Sequence, residues 1–247
     1  MRGKSVGMVT RVAFVGLVCV GSFLCATLPT AAQIVTLANQ DSTASINLGS
    51  QGGMYNWTVD GINVLDQQWF WYRVDGDPTG QHSLDTLPLT YAQFSPSYVS
   101  ASYTGLSFII AANFQLYGGT VVSSNALMDE VFLIQNTSNT NLTLHLFEYS
   151  NFVLGVPGND TVNFPYSNSV VQVGSIGSVW ETNTAVVTGL PGFVAPMHHE
   201  ANVYPNTLNS LNQGSPDTLN DATNAGPGDV TWAFQWDAID PPAGDEA

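Results

Sequence analysis

The side chains able to do chemistry in this chain are mostly carboxylates and aromatics: 19 Asp and Glu stand against 4 Lys and Arg, 4 His and 2 Cys. Glycoside hydrolysis needs two carboxyl groups roughly 5 to 9.5 Å apart across the scissile bond. Asp66, Glu130, Glu148, Glu181 and Glu200 are the acids outside turns that could supply such a pair, and spacing does not say which of them converge. No Gly-x-Ser-x-Gly elbow or other nucleophile motif is present. His198-His199-Glu200, with His82 or His145, offers Zn²⁺ ligand types. Adjacent strand residues point to opposite faces, so a surface loop is the better reading there. In the segment from Asp75 to Asp85, oxygen side chains at relative positions one, three and five precede a Gly at six, as in a Ca²⁺ loop. Position twelve is Thr86, where that motif has a bidentate Glu. Ca²⁺ held by Asp75, Asp77 and Asp85 is one reading, a hairpin loop rich in turn formers the other; no other cofactor is expected.

The aromatics suggest binding. Trp69, Trp71 and Arg73 alternate along one strand face, and Trp232, Phe234 and Trp236 along another. Exposed coplanar rings would make a saccharide-stacking platform, because they set apolar area beside hydrogen-bonding groups. The competing reading is core, the usual fate of large aromatics in strands. Arg73 would then be tied to a carboxylate, with Glu130, Glu148 and Glu181 as the candidates. Trp69, Trp71, Arg73, Trp232, Trp236 and Glu148 form the candidate ligand-binding set.

The elements that must position these residues are strands. Leu106, Phe108, Ile110, Ala112, Phe114 and Leu116 alternate with Ser107, Asn113 and Gln115, the period of a half-buried strand. Tyr55, Trp57 and Val59 lead into Asp60-Gly61, a two-residue hairpin signal, and a return strand over 62–74. Strands at 127–135 and 142–154 are read as a hairpin joined by the polar loop 136–141. Shorter strands fall at 97–103, 170–173, 178–181, 185–188 and 230–236, with one helical turn or two at 206–211. Many strands, Gly, Pro and Asn turns and almost no helix predict a single all-β, two-sheet sandwich over 33–240, with a short flexible tail at 241–247.

The first 32 residues read differently. Arg2, Lys4 and Arg11 precede an apolar run from Val12 to Leu28, and Pro29-Thr30-Ala31-Ala32 closes it. That tripartite pattern predicts a helical signal peptide cleaved after Ala32, hence a secreted, extracellular or periplasmic protein. Both cysteines, Cys19 and Cys25, would leave with it, so no disulfide or thiolate chemistry remains. Arg73 would then be the one basic Lys or Arg against 19 acids, a charge of −18. Such a surface repels nucleic acid, whose binding depends on Lys and Arg. No membrane span is expected in the mature chain.

Three segments carry a resemblance: Gln67-Gln68-Trp69-Phe70-Trp71-Tyr72-Arg73, Phe147-Glu148-Tyr149-Ser150-Asn151-Phe152 and Gly228-Asp229-Val230-Thr231-Trp232-Ala233-Phe234-Gln235-Trp236-Asp237. Together they resemble secreted bacterial proteins of the PEP-CTERM (exosortase-sorted) type, which implies an envelope or exopolysaccharide location. The end after Trp236 departs from that pattern: no Pro-Glu-Pro, apolar helix or basic terminus follows. Asn136, His145 and Tyr149-Ser150-Asn151-Phe152 also loosely resemble the large sandwich of aldose mutarotases, without a spacing that assigns a catalytic role. The expectation is a non-enzymatic saccharide-binding or extracellular-matrix protein whose partner is an extracellular polysaccharide. A mutarotase- or glycosidase-like enzyme and a surface-layer component are the alternatives.

Overall fold

The structure is a computed structural model that describes residues 4–14, 33–120, 123–156, 158–187 and 193–240. The strands in chain order are β1 (Lys4–Phe14), β2 (Ile34–Asn39), β3 (Ser42–Asn47), β4 (Gly53–Val59), β5 (Ile62–Val74), β6 (His82–Ser83), β7 (Leu89–Ser95), β8 (Tyr98–Thr104) and β9 (Phe108–Gly118). They continue with β10 (Asn125–Asn136), β11 (Leu142–Phe152), β12 (Asp160–Tyr166), β13 (Ser169–Gly174), β14 (Gly177–Val187), β15 (Phe193–Val194), β16 (His198–Val203), β17 (Asn224–Gly228) and β18 (Val230–Asp240). The helix α1 spans Asn206–Leu211. Two sheets result. The ten-stranded sheet runs β17-β12-β13-β14-β1-β10-β9-β8-β7 with β15 beside β14; the eight-stranded sheet runs β16-β18-β11-β5-β4-β3-β2 with β6 beside β5. The protein is thus an all-β, two-sheet sandwich.

Strand alternation decides which side chains meet between the sheets. Phe108, Ile110, Ala112, Phe114 and Leu116 of β9 and Met128, Phe132 and Ile134 of β10 face inward and are buried. Phe70 of β5 meets them from the other sheet, its ring centroid 4.1 Å from Phe132 and 6.5 Å from Phe114. Trp232 of β18 stacks on Phe152 at 5.8 Å, and its indole N–H donates to Gln172 Oε1 across the core at 3.1 Å. The Asp60-Gly61 turn falls as read, between Val59 and Ile62, with φ of 49° and 72°. Both residues being left-handed is what the tight turn matching strand twist requires.

The outer face of the eight-stranded sheet is covered as well. The segment from α1 to residue 223 lies against it: Trp71 Nε1 donates to Asn212 Oδ1 at 3.2 Å, and Leu219 N donates to Gln235 Oε1 at 3.0 Å. This cover explains why β5 is buried on both faces through Trp69-Phe70-Trp71.

Three expectations change. Residues 4–14 form a strand rather than the start of a helix: Val6, Met8 and Val12 alternate into the core, and apolar runs in a leader and in a buried strand share one composition. The strands at 127–135 and 142–154 are not a hairpin, because β10 and β11 belong to different sheets and the 136–141 loop arches between them. His198–Val203, read as loop, pairs with β18. The cleavage point after Ala32 and the tail 241–247 lie outside the described residues. Among the described residues, no helix is long and apolar enough to cross a membrane.

If the sheets meet at the Phe70–Phe132 contact, Phe70→Ala should cost about 3–5 kcal/mol in urea unfolding. An unchanged midpoint would mean that this contact is not part of the core.

Candidate functional site

The interior of the sandwich holds an acid cluster centred on β1. Glu130 of β10, Glu148 of β11 and Glu181 of β14 are all 0% exposed. Register sets the arrangement: Thr10 of β1 pairs with Glu130 on one side and Asn183 on the other, and Met8 pairs with Glu181. Thr10 Oγ1 donates to Glu130 Oε2 at 3.1 Å and lies 3.4 Å from Glu148 Oε1. Gln68 of β5 donates to the same two oxygens, at 2.9 and 3.2 Å. Glu181 lies beside Glu148, and neither Glu181 oxygen reaches full hydrogen-bond geometry with any partner. The opposite oxygens of Glu130 and Glu148 and both amide atoms of Asn183 likewise lack a partner of full geometry.

Burial without a cation penalises the ionised form. Desolvation, then mutual repulsion, holds Glu130 and Glu181 well above the usual carboxylate range. Desolvation pushes Glu148 up to about 7, opposed by donors from Gln68, Glu181 and Thr10. Glu130 and Glu181 are therefore held protonated at neutral pH, while Glu148 titrates near it. With β1 in place they have no exposed surface to offer a substrate.

The residues singled out in the sequence are placed as follows. Trp69, Trp71, Trp232 and Trp236 are at most 1% exposed, so none offers a face to a sugar; the stacking platform expected from them is replaced by core packing. Arg73 reaches none of Glu130, Glu148 or Glu181. It lies on the opposite face of β5 from that cluster, donating to the Asp217 carbonyl oxygen at 2.6 Å with its guanidinium 5.7 Å above the Phe147 ring. Among the described residues no carboxylate lies within ion-pair distance of it.

Asp75, Asp77 and Asp85 do not gather into a Ca²⁺ site. Asp77 Oδ1 accepts from the Thr79 N–H at 2.8 Å, its Oδ2 pairs with His82 at 2.9 Å, and Asp85 accepts from Ser83 Oγ. That is the turn-stabilising use of Asp. Among the described residues no group of three or more His, Cys, Asp or Glu is arranged to hold a metal ion. His198 turns to Asp221 at 3.1 Å, and His199 Nδ1 lies 3.7 Å from the same carboxylate while its ring packs on Phe164 at 4.6 Å.

The accessible site lies elsewhere, on the outer face of the ten-stranded sheet. A shallow recess of about 420 Å³ is lined by Tyr98, Asn113, Gln115, Tyr117, Asp129, Val131 and Leu133. A second, of about 370 Å³, shares Tyr117 and extends over Gly7 and Leu127 to Trp180. Tyr117 is 49% and Trp180 42% exposed. Tyr98 donates its hydroxyl to Asn113 Oδ1 at 2.9 Å and stacks on exposed Phe94 at 5.8 Å. Gln115 is held by Ser97, donating to its carbonyl and hydroxyl oxygens at 3.0 and 2.9 Å. The result is a row of aromatic faces interleaved with fixed amides and one carboxylate. The sequence signal for it was the polar side of the β9 alternation, Asn113 and Gln115, which runs on to Tyr117.

No protein family and no curated protein sequence matches this chain.

The interior acids give a signed pH prediction. A carboxyl raised from its ordinary 4.5 makes the folded chain bind more protons than the unfolded one, so its contribution is full below about pH 4.5 and is lost as pH rises through the folded value near 7. The full chain should melt several degrees lower at pH 8 than at pH 5.5. Glu181→Gln, which mimics the protonated side chain, should raise the melting temperature at pH 8 and flatten this dependence. A lower melting temperature for the variant at pH 8 would show an ionised, compensated carboxylate instead.

Proposed function

We propose that this protein is exported and binds a neutral extracellular polysaccharide without transforming it. The observation that carries this reading is the row of exposed Phe94, Tyr117 and Trp180 and half-buried Tyr98 on the outer face of β7, β8, β9 and β14, interleaved with Asn113, Gln115 and Asp129. A sugar ring offers an apolar face and a rim of hydroxyls. Aromatic faces complement the first and amide and carboxylate groups the second. Because the sheet is rigid and the amides are pre-positioned by their own hydrogen bonds, little ordering is needed on binding. The recesses are shallow, which fits recognition of successive units along a chain by weak, repeated contacts.

Charge selects the ligand class. A formal charge of −15 for the whole chain disfavours a polyanionic glycan and leaves neutral ones. Of the five acids outside turns, Glu130, Glu148 and Glu181 sit inside at 0% exposure and Glu200 at 5%, and Asp66 alone is exposed, which favours a binder over a glycosidase. Export is supported by the leader-like composition of residues 1–32.

A glycan array followed by titration with the neutral hits tests the reading. Tyr117→Ala, which touches both recesses, should weaken binding at least tenfold, about 1.4 kcal/mol, with the melting temperature unchanged. Trp180→Ala should weaken it less, since it removes only one wall. Retention of full affinity by both variants, or no glycan binding by the parent protein, would refute the proposal.

A further inference from the structure

All strand pairings among the described residues are antiparallel except two, and both belong to β1. β1 lies parallel to β10 from Ser5↔Asn125 to Phe14↔Ile134 and parallel to β14 from Lys4↔Gly177 to Phe14↔Val187. The walls β10 and β14 therefore run the same way. A strand entering antiparallel to both would restore an uninterrupted antiparallel sheet, the pairing with the better hydrogen-bond geometry. The slot also specifies side chains. Positions 6, 8 and 12 fill fully buried apolar sites with Val, Met and Val. Position 7 must be small, because a Cβ on Gly7 would lie 2.7 Å from the Trp180 ring. Position 10 meets the carboxyl groups of Glu130 and Glu148, with Glu181 beside Glu148 and Asn183 opposite in register, and Thr10 supplies a single hydroxyl.

That last match is poor. Three buried carboxyl groups with spare acceptor oxygens fit an ammonium or guanidinium with several donors, one acid ionising to balance it while the other two remain protonated donors. Among the described residues none is free to supply it: Lys4 is bound to the Val59 carbonyl and Asp60, Arg11 pairs outward with Asp129, and Arg73 is committed to Asp217. Beyond residue 33 the sequence holds no Lys or Arg except Arg73, so a second processed copy could not supply one either.

We propose that β1 is a placeholder in an acceptor slot, and that the lasting occupant is an antiparallel strand of a different protein carrying Lys or Arg at the position of Thr10. This rests on the reading of residues 1–32 as a removable leader, whose cleavage would take β1 with it and open both walls. Strand addition of this kind draws affinity from two backbone ladders and specificity from alternate side-chain pockets. An emptied slot would expose unpaired strand edges and core, so occupation and folding are coupled.

The experiment uses the full chain with a site-specific protease site placed within residues 15–32 and a fluorophore on the N-terminus. After nicking, release of the labelled segment is followed by anisotropy as unlabelled 11-residue peptides compete. The peptides carry the residue 4–14 sequence in forward or reversed order, with Thr, Lys or Glu at the position of Thr10. At pH 7.5 the reversed Lys peptide should displace the label at least tenfold more effectively than the forward Thr peptide, with the Glu peptides weakest. Glu130→Gln should shrink the Lys advantage while leaving the Thr peptides little changed. Exchange without any Lys preference, or a preference for forward order, overturns the assignment of the partner strand while leaving the removable leader standing. Failure of every peptide to displace the nicked segment overturns both.

Discussion

The structure depends on one constraint: β10 and β14 run in the same direction and must have a strand between them. Without it the ten-stranded sheet falls into two parts, β13-β14 with their neighbours and β7 to β10. β1 satisfies the constraint through two continuous ladders and three buried apolar side chains. It also caps the polar interior, since Thr10 is one of the two donors shared by Glu130 and Glu148. The first segment of the chain is thus the keystone of a sheet whose two walls, β10 and β14, lie more than a hundred positions later. Closing so long a loop early in folding is entropically unfavourable, so β1 is expected to dock late, after its two walls exist.

The interior acids and the outer aromatic face are two sides of the same strands. On β10, Glu130 points into the sandwich while Asp129 and Val131 line the outer recess; on β14, Glu181 points inward and Trp180 outward. What occupies the slot therefore touches the binding face as well, because Trp180 lies over the backbone of Gly7. A strand with a larger residue at that position would move Trp180. The proposed binding on the surface and the proposed exchange in the slot are thus adjacent in one sheet.

Much of the fold was legible because it rests on local rules. Alternation located β9, β10, β11 and β18, and Asp60-Gly61 fixed its hairpin, since period and turn chemistry act within a few residues. The partition of strands between sheets was not, because the polar loop 136–141 reads the same whether it turns back on one sheet or crosses to the other. β12 and β17 escaped notice because Pro165 and the Gly and Pro of Asn224–Gly228 interrupt their alternation. The aromatic candidates failed for a different reason. Alternation says which residues share a face, as for Trp232 and Trp236, but not whether that face meets the second sheet, the covering segment 205–223 or water. The exposed Tyr117 and Trp180 carry no sequence mark that separates them from the buried indoles. Residues 4–14 were ambiguous in principle: a basic start and an apolar run serve a leader and a buried strand equally.

On the proposal that residues 1–32 are a removable leader, residues 4–14 are a strand before processing and part of the leader at it. Hydrogen exchange of the full chain, read by mass spectrometry at peptide level, tests this most directly. The account predicts that peptides covering 4–14, 125–136 and 177–187 are protected yet lose protection together, in an opening that leaves 62–74 and 142–152 closed. Exchange of 4–14 at the rate of an unstructured chain, with β10 and β14 still protected, would contradict it by showing that the slot is closed without β1.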